Sequence, residues 1–151
     1  MTIKDRLEQD IKAALLSGDK QRALVLRGLK SAILYEEVAQ KIRDTGLDDE
    51  GITLILQREA KKRQESADLY VQGGNQERAD AELAEKAIIQ EYLPQQLDEA
   101  AINSVIDEVI QEVGDSSMAS MGKIIGGVKQ KTAGAADGAV IARLVKEKLS
   151  Q

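Results

Sequence analysis

From Ile3 to Leu149 the apolar residues recur at intervals of three and four, and no stretch alternates apolar with polar. A half-buried strand needs period two, whereas a helix that buries one face needs 3.6. An all-α, multihelical fold is therefore expected along the whole chain. Thr2 is placed to cap a first helix with Ile3, Leu7, Ile11 and Leu15 on one stripe, stopping at Ser17-Gly18. Asp19 caps a second, expected to reach about Arg43. Its crowded Leu24, Val25, Leu26, Leu29, Ile33 and Leu34 predict burial on more than one side. A third follows Asp48 to about Gln72 and breaks at Gly73-Gly74, and Asn75 caps a fourth running to Leu93.

Pro94 is the only proline. It lacks an amide hydrogen and disfavours helical geometry at Leu93, so it marks the expected boundary between a helical N-terminal domain, 1–93, and a three-helix C-terminal domain, 94–151. In the second part Asp98 caps a helix closed by Gly114. Ser116 or Ser117 opens a shorter one through Met121, Ile124 and Ile125. After a loop around Thr132–Ala136, Asp137 caps the last helix, Gly138 to Leu149. Six of the twelve glycines lie beyond residue 113, a shift in composition that supports a separate module.

The missing residue types exclude several functions. There is no cysteine and no histidine, so thiolate nucleophiles, cysteine-ligated metals and the commonest general base are absent. Aromatic residues make up 2% of the chain, too few for the stacking platforms that single-stranded nucleic acids use. No run approaches 18 apolar residues and the charged start does not open a signal peptide, so a cytoplasmic protein with no membrane span is expected. The formal net charge is −5 but unevenly spread. Residues 94–113 hold five acids and no base, and residues 114–151 hold six bases against three acids. Phosphate backbones respond to such local patches, not to the total.

Most motif matches fail on their chemistry. Ser120-Met121-Gly122-Lys123 fits S-x-x-K, but the polar partners and K-T-G strand of that acyl-transfer site are missing. Gly122-Lys123 lacks both the glycine and the Ser/Thr that a phosphate-binding loop requires around it. Asp48, Glu50 and Gly51 would need a first ligand at Gly46 and a closing glutamate at Gln57 to form a calcium loop. Adjacent acids such as Glu36-Glu37 diverge by about 100° on a helix and do not share a face. No catalytic residue, metal site or cofactor is assigned.

The basic residues carry more. Arg58, Lys61 and Lys62 fall within about 100° on the third helix, and Lys20, Arg27, Lys30 and Lys41 within about 80° on the second. Their ordinary reading is solvated pairing, with Lys61 to Glu65 and Glu59 to Arg63 four residues apart. Gly122, Gly126 and Gly127 are more specific. Each costs a helix about 1 kcal/mol relative to alanine, which makes sense where a neighbouring helix or a ligand backbone approaches closely. Lys123, Lys129 and Lys131 surround them.

Five motifs then occur in a known order: Leu26-Arg27-Gly28-Leu29-Lys30-Ser31-Ala32, Arg58-Glu59-Ala60-Lys61-Lys62-Arg63, Glu91-Tyr92-Leu93-Pro94-Gln95-Gln96-Leu97, Met121-Gly122-Lys123 and Ala136-Asp137-Gly138. Together they resemble the GatB/YqeY family, and stand-alone YqeY-like proteins over essentially the whole chain. The resemblance implies a helical N-terminal part and a small three-helix tail. Similar tails end the GatB subunit of tRNA-dependent amidotransferases and append some glutaminyl-tRNA synthetases, where they are understood to contact tRNA. Carried onto this chain, Lys123 and the Gly122/Gly126 face become the expected contact, with Lys129 and Lys131 beside it; the Arg27, Lys30, Arg58, Lys61 and Lys62 stripes, read from helical spacing alone, are secondary candidates. The family also brings the label of a carbon–nitrogen ligase using glutamine as amide donor. This chain supplies no activated nucleophile and no nucleotide or metal site for that chemistry alone. An accessory tRNA-binding protein is therefore expected. The alternatives are a component or helper of the carbon–nitrogen ligase that amidates aminoacyl-tRNA, and an adaptor between proteins that never touches RNA; besides tRNA, the candidate partners are an amidotransferase or an aminoacyl-tRNA synthetase.

Overall fold

The computed structural model describes residues 1–151. It is all-helical, with seven α-helices, one 3₁₀ turn and no strand, in two compact units, Met1–Leu93 and Pro94–Gln151. None of its helices is long and apolar enough to cross a membrane.

The first unit holds α1 (Ile3–Ser17), α2 (Lys20–Ala39), α3 (Asp49–Gln72) and α4 (Gln76–Gln90). Each begins at a side chain that accepts a free amide of the first turn. Thr2 and Asp5 form a reciprocal capping box, while Asp19, Asp48 and Asn75 accept from Arg22, Gly51 and Arg78. The short Gly73-Gly74-Asn75 link folds α4 back along α3. Leu7, Leu26, Leu29, Ile33, Ile52, Leu56 and Ile89 form the wholly buried centre of the core, each side chain contributing about 1.5–3 kcal/mol of transfer free energy. Tyr92 closes the end of it. Its hydroxyl donates to Asp10, the Arg6 guanidinium lies 4.9 Å from its ring centroid, and Arg22 pairs with Glu91 at 2.6 Å.

Several expectations for this unit are corrected. α2 stops at Ala39, about four residues before Arg43, because the chain reverses through Lys41 at φ +60° and the Ile42 amide returns to the Glu37 carbonyl. Lys41 therefore leaves the stripe it was assigned to. A tertiary contact accompanies the reversal. The Glu37 carboxylate is buried, pairs with Lys4 of α1, and accepts the Leu47 amide at 2.7 Å. Gly46 lies against it at φ +76°, where a Cβ would sit 2.9 Å from the Glu37 carboxylate, so only glycine fits. α4 ends at Gln90 and the chain tightens into a turn through Tyr92 before Pro94. Leu24 and Leu34 are exposed, so α2 is buried on one side and not on two. Arg63 does not pair with Glu59 but crosses to Glu85 of α4 at 2.9 Å, and Glu59 pairs with Lys62 instead.

The second unit holds α5 (Glu99–Val113), a 3₁₀ turn (Met118–Ser120), α6 (Met121–Thr132) and α7 (Gly138–Leu149). Asp98 and Asp137 cap α5 and α7. The shorter helix opens as the 3₁₀ turn after Ser117 and becomes α-helical at Met121. Ile106, Val109, Ile124, Val128, Ile141 and Val145 fill the space between the three helices. The segment entering α5 is pinned to the α6–α7 link, since the Leu97 amide donates to the Ala135 carbonyl at 2.8 Å.

Candidate nucleic-acid interface

α6 buries Ile124, Val128 and Thr132 on its inner side. By the 100° step of a helix, Lys129, Gly122, Gly126, Gln130 and Lys123 then follow one another across about 120° of the opposite side. All five are exposed. Around Gly122 and Gly126 nothing lies within 4 Å of where a Cβ would be, so no internal packing requires either glycine. Gly127 is different. It turns toward α5, and an added Cβ would sit 2.8 Å from Val109 Cγ1. The three glycines thus divide between one close helix contact and a bare outward strip.

The strip is bordered by cations whose charge is not consumed within the unit. Lys123 and Lys129 form no ion pair. Lys129 lies over the first residue of α7, where a Cβ at Gly138 would come within 3.3 Å of its Cε. The Asp137-Gly138 pair therefore has two local uses: a cap for α7 and clearance for Lys129. Ahead of α6, Asp115 accepts from Ser120 Oγ at 2.6 Å and from the amide and hydroxyl of Ser117, both at 2.9 Å. These bonds, Ser120 first, hold its carboxyl below the usual range, and the charge of Lys123 adds a smaller push in the same direction. That turn sets where the first turn of α6 begins.

The other assigned residues lie elsewhere. Lys131 is on the α5 side of α6, at 2.6 Å from Glu112 and 3.6 Å from Glu108. Arg143 and Lys148 are likewise held by Glu99, Glu147 and Asp107. Half of the six bases beyond residue 113 therefore neutralise the acids of α5, which leaves Lys123, Lys129 and Lys146. In the first unit Lys30 pairs with Glu8 at 3.0 Å, Arg58 approaches Glu36 at 4.0 Å and Lys62 pairs with Glu59 at 3.3 Å. Arg27 and Lys61 are exposed without an ion pair. Gln130 was not singled out from the sequence. Its spacing of four from Gly126 and seven from Lys123 is the periodic signal that places it on the strip.

Compared with known families, the chain matches the model described as Yqey-like protein over residues 4–149. No curated protein matches it.

Proposed function

The chain belongs to the Yqey-like protein family, and from that premise we propose that it binds tRNA through the outward side of α6. The observation that carries this reading is the bare strip at Gly122 and Gly126, which nothing inside the protein requires, bordered by the unpaired Lys123 and Lys129. A sugar–phosphate chain can approach a helix backbone closely only where side chains are missing. Two flanking ammonium groups then meet phosphates as point charges without reading bases. Lys131, already satisfied by Glu112 and Glu108, contributes little to this contact.

The test is a titration against total tRNA and a length-matched duplex RNA at two salt concentrations, with the natural chain and the Lys123→Ala/Lys129→Ala variant. Tighter binding to tRNA, weakened by salt, with a salt slope about 0.9 smaller for each phosphate contact removed, is the expected result. Equal binding to both RNAs, or a slope unchanged in the variant, rejects the reading.

A second reading has its own observation. On α3 the exposed Leu54 and Leu69 share one side with Arg58, Lys61 and Lys62. Exposed leucines among cations suit a protein partner, such as an amidotransferase or an aminoacyl-tRNA synthetase, better than RNA. Co-purification with such an enzyme, lost in Arg58→Ala/Lys61→Ala and kept in Lys123→Ala, favours this reading over RNA docking.

A further inference from the structure

The outer side of α2 is apolar where a solvated helix would be charged. Leu24, Gly28, Ser31, Tyr35 and Val38 fall within about 80° of one another by the helical step, opposite the buried Leu26, Leu29 and Ile33. Leu24 is 70% exposed, Tyr35 77% and Val38 53%. Gly28 faces open space, with nothing within 4 Å of a Cβ placed there. A glycine in mid-helix is unfavourable relative to alanine, and the packing of the protomer gives no reason for it.

The spacing of this stripe supplies one. Its steps of four, three, four and three are those of a helix–helix seam. None of these five positions is charged, and Lys20, four residues before Leu24, is the cation that ends the stripe. Four of its five positions are symmetric about one point, and the fifth, Val38, falls opposite Gln21. Gly28 and Ser31 lie equally far from the point between Leu29 and Lys30, and so do Leu24 and Tyr35. Turned through a two-fold axis at that point, Gly28 meets Ser31, and the Tyr35 ring meets Leu24 on either side. Small residues then stand where the two helices come closest and large ones where they diverge. This is the self-complementarity that an isologous contact requires, residue i on j and j on i.

We propose that α2 is a self-association surface, pairing antiparallel with the α2 of a second copy of this chain and crossing at Gly28 and Ser31. The size of the face sets the strength. A 20-residue helix, about 30 Å long and 10 Å across, offers a curved footprint that buries roughly 600–1,000 Å² over both copies. That is at or just below what a specific interface needs, so the pairing is weak and reversible. The cations bordering the seam do not oppose one another. The two-fold sets Arg27 of one copy level with Ala32 of the other, about 7.5 Å along the axis from the second Arg27.

Sedimentation equilibrium of the full chain from about 10 μM to 1 mM reads the association directly. A monomer–dimer equilibrium is expected, and Gly28→Glu should raise its dissociation constant at least tenfold. Because Gly28 faces open space, that variant keeps its helical content, which circular dichroism checks in parallel. The chain has no cysteine of its own, so orientation can be read by mixing Leu24→Cys with Tyr35→Cys under oxidation. Mixed disulfides should outnumber like-with-like ones. A monomer throughout the range, predominance of like-with-like disulfides, or a dimer indifferent to Gly28→Glu overturns the proposal. So does a chain that stays monomeric while anionic lipid vesicles or a tRNA-handling enzyme bind it and Gly28→Glu abolishes that binding.

Discussion

Helices α2 and α6 both turn a strip poor in side chains toward solvent, and the borders of the two strips are opposite in chemistry. Around Gly28 stand Leu24, Tyr35 and Val38; around Gly122 and Gly126 stand Lys123, Lys129 and Gln130. An exposed helical glycine carries the same penalty in both places. It signals only that a backbone is left accessible, and the neighbouring side chains decide what is suited to approach it. Apolar borders lose unfavourable hydration by pairing with an apolar surface. Cationic borders stay hydrated and attract phosphates.

The comparison breaks if the two strips share an occupant. The largest expected effect is on RNA binding: Lys123→Glu/Lys129→Glu should weaken tRNA binding by at least thirtyfold, roughly 2 kcal/mol. The same variant should leave the monomer–dimer equilibrium alone, and Gly28→Glu should do the reverse. A variant of either strip that moves both readouts removes the distinction.

The units also differ in how they use charge. The first carries a buried carboxylate, Glu37, held by Lys4 and the Leu47 amide, whereas the ion pairs of the second lie on its surface. Glu37→Ala leaves the Leu47 amide without its partner and should cost the first unit about 2 kcal/mol in urea denaturation. Burial pushes the Glu37 carboxyl up, but the Lys4 bond and the Leu47 amide outweigh it, and the net position is below the ordinary value of 4.5. Its contribution is therefore complete above that ordinary value and is lost as pH falls through the lower, folded one. Protection factors of the Ile42–Leu47 amides, corrected for the intrinsic pH dependence of exchange, should fall in acid in the natural chain and be low at all pH in Glu37→Ala.

Alanine at the α6 glycines sharpens the division within one helix. Gly127→Ala drives a methyl against Val109 and should destabilise the second unit by about 1–2 kcal/mol. Gly126→Ala enters open space and should stabilise it by up to about 1 kcal/mol while weakening tRNA binding. Opposite signs from adjacent glycines, read by thermal denaturation, are the expected outcome. Smallest of all is Lys131→Ala, which removes surface pairs to Glu112 and Glu108. It should scarcely move the melting temperature and should leave the RNA salt slope unchanged.

Much of this molecule is local and so was legible from the chain. The all-α class follows from the spacing of apolar residues. Thr2, Asp19, Asp48, Asn75, Asp98 and Asp137 cap the helices they precede, because a cap needs only a side chain and an amide three residues on. The five ordered motifs were enough to point to the family that residues 4–149 match. What depends on distant neighbours was not legible. The acidic α5 and the basic segment after it look like separate patches in sequence, yet Lys131, Arg143 and Lys148 fold back onto those acids. Arg63 has an acid at the right helical spacing and turns to α4 instead. α2 ends at Ala39, and the loop beyond it returns the Leu47 amide to the Glu37 carboxylate ten residues back. Gly122, Gly126 and Gly127 are identical residues on one helix, and only the packing of α5 against α6 assigns the last to the interior and leaves the other two bare. Periodicity and capping act over a single turn and are written in the chain. Which charges remain free and which backbone remains open are set by the helices that pack alongside.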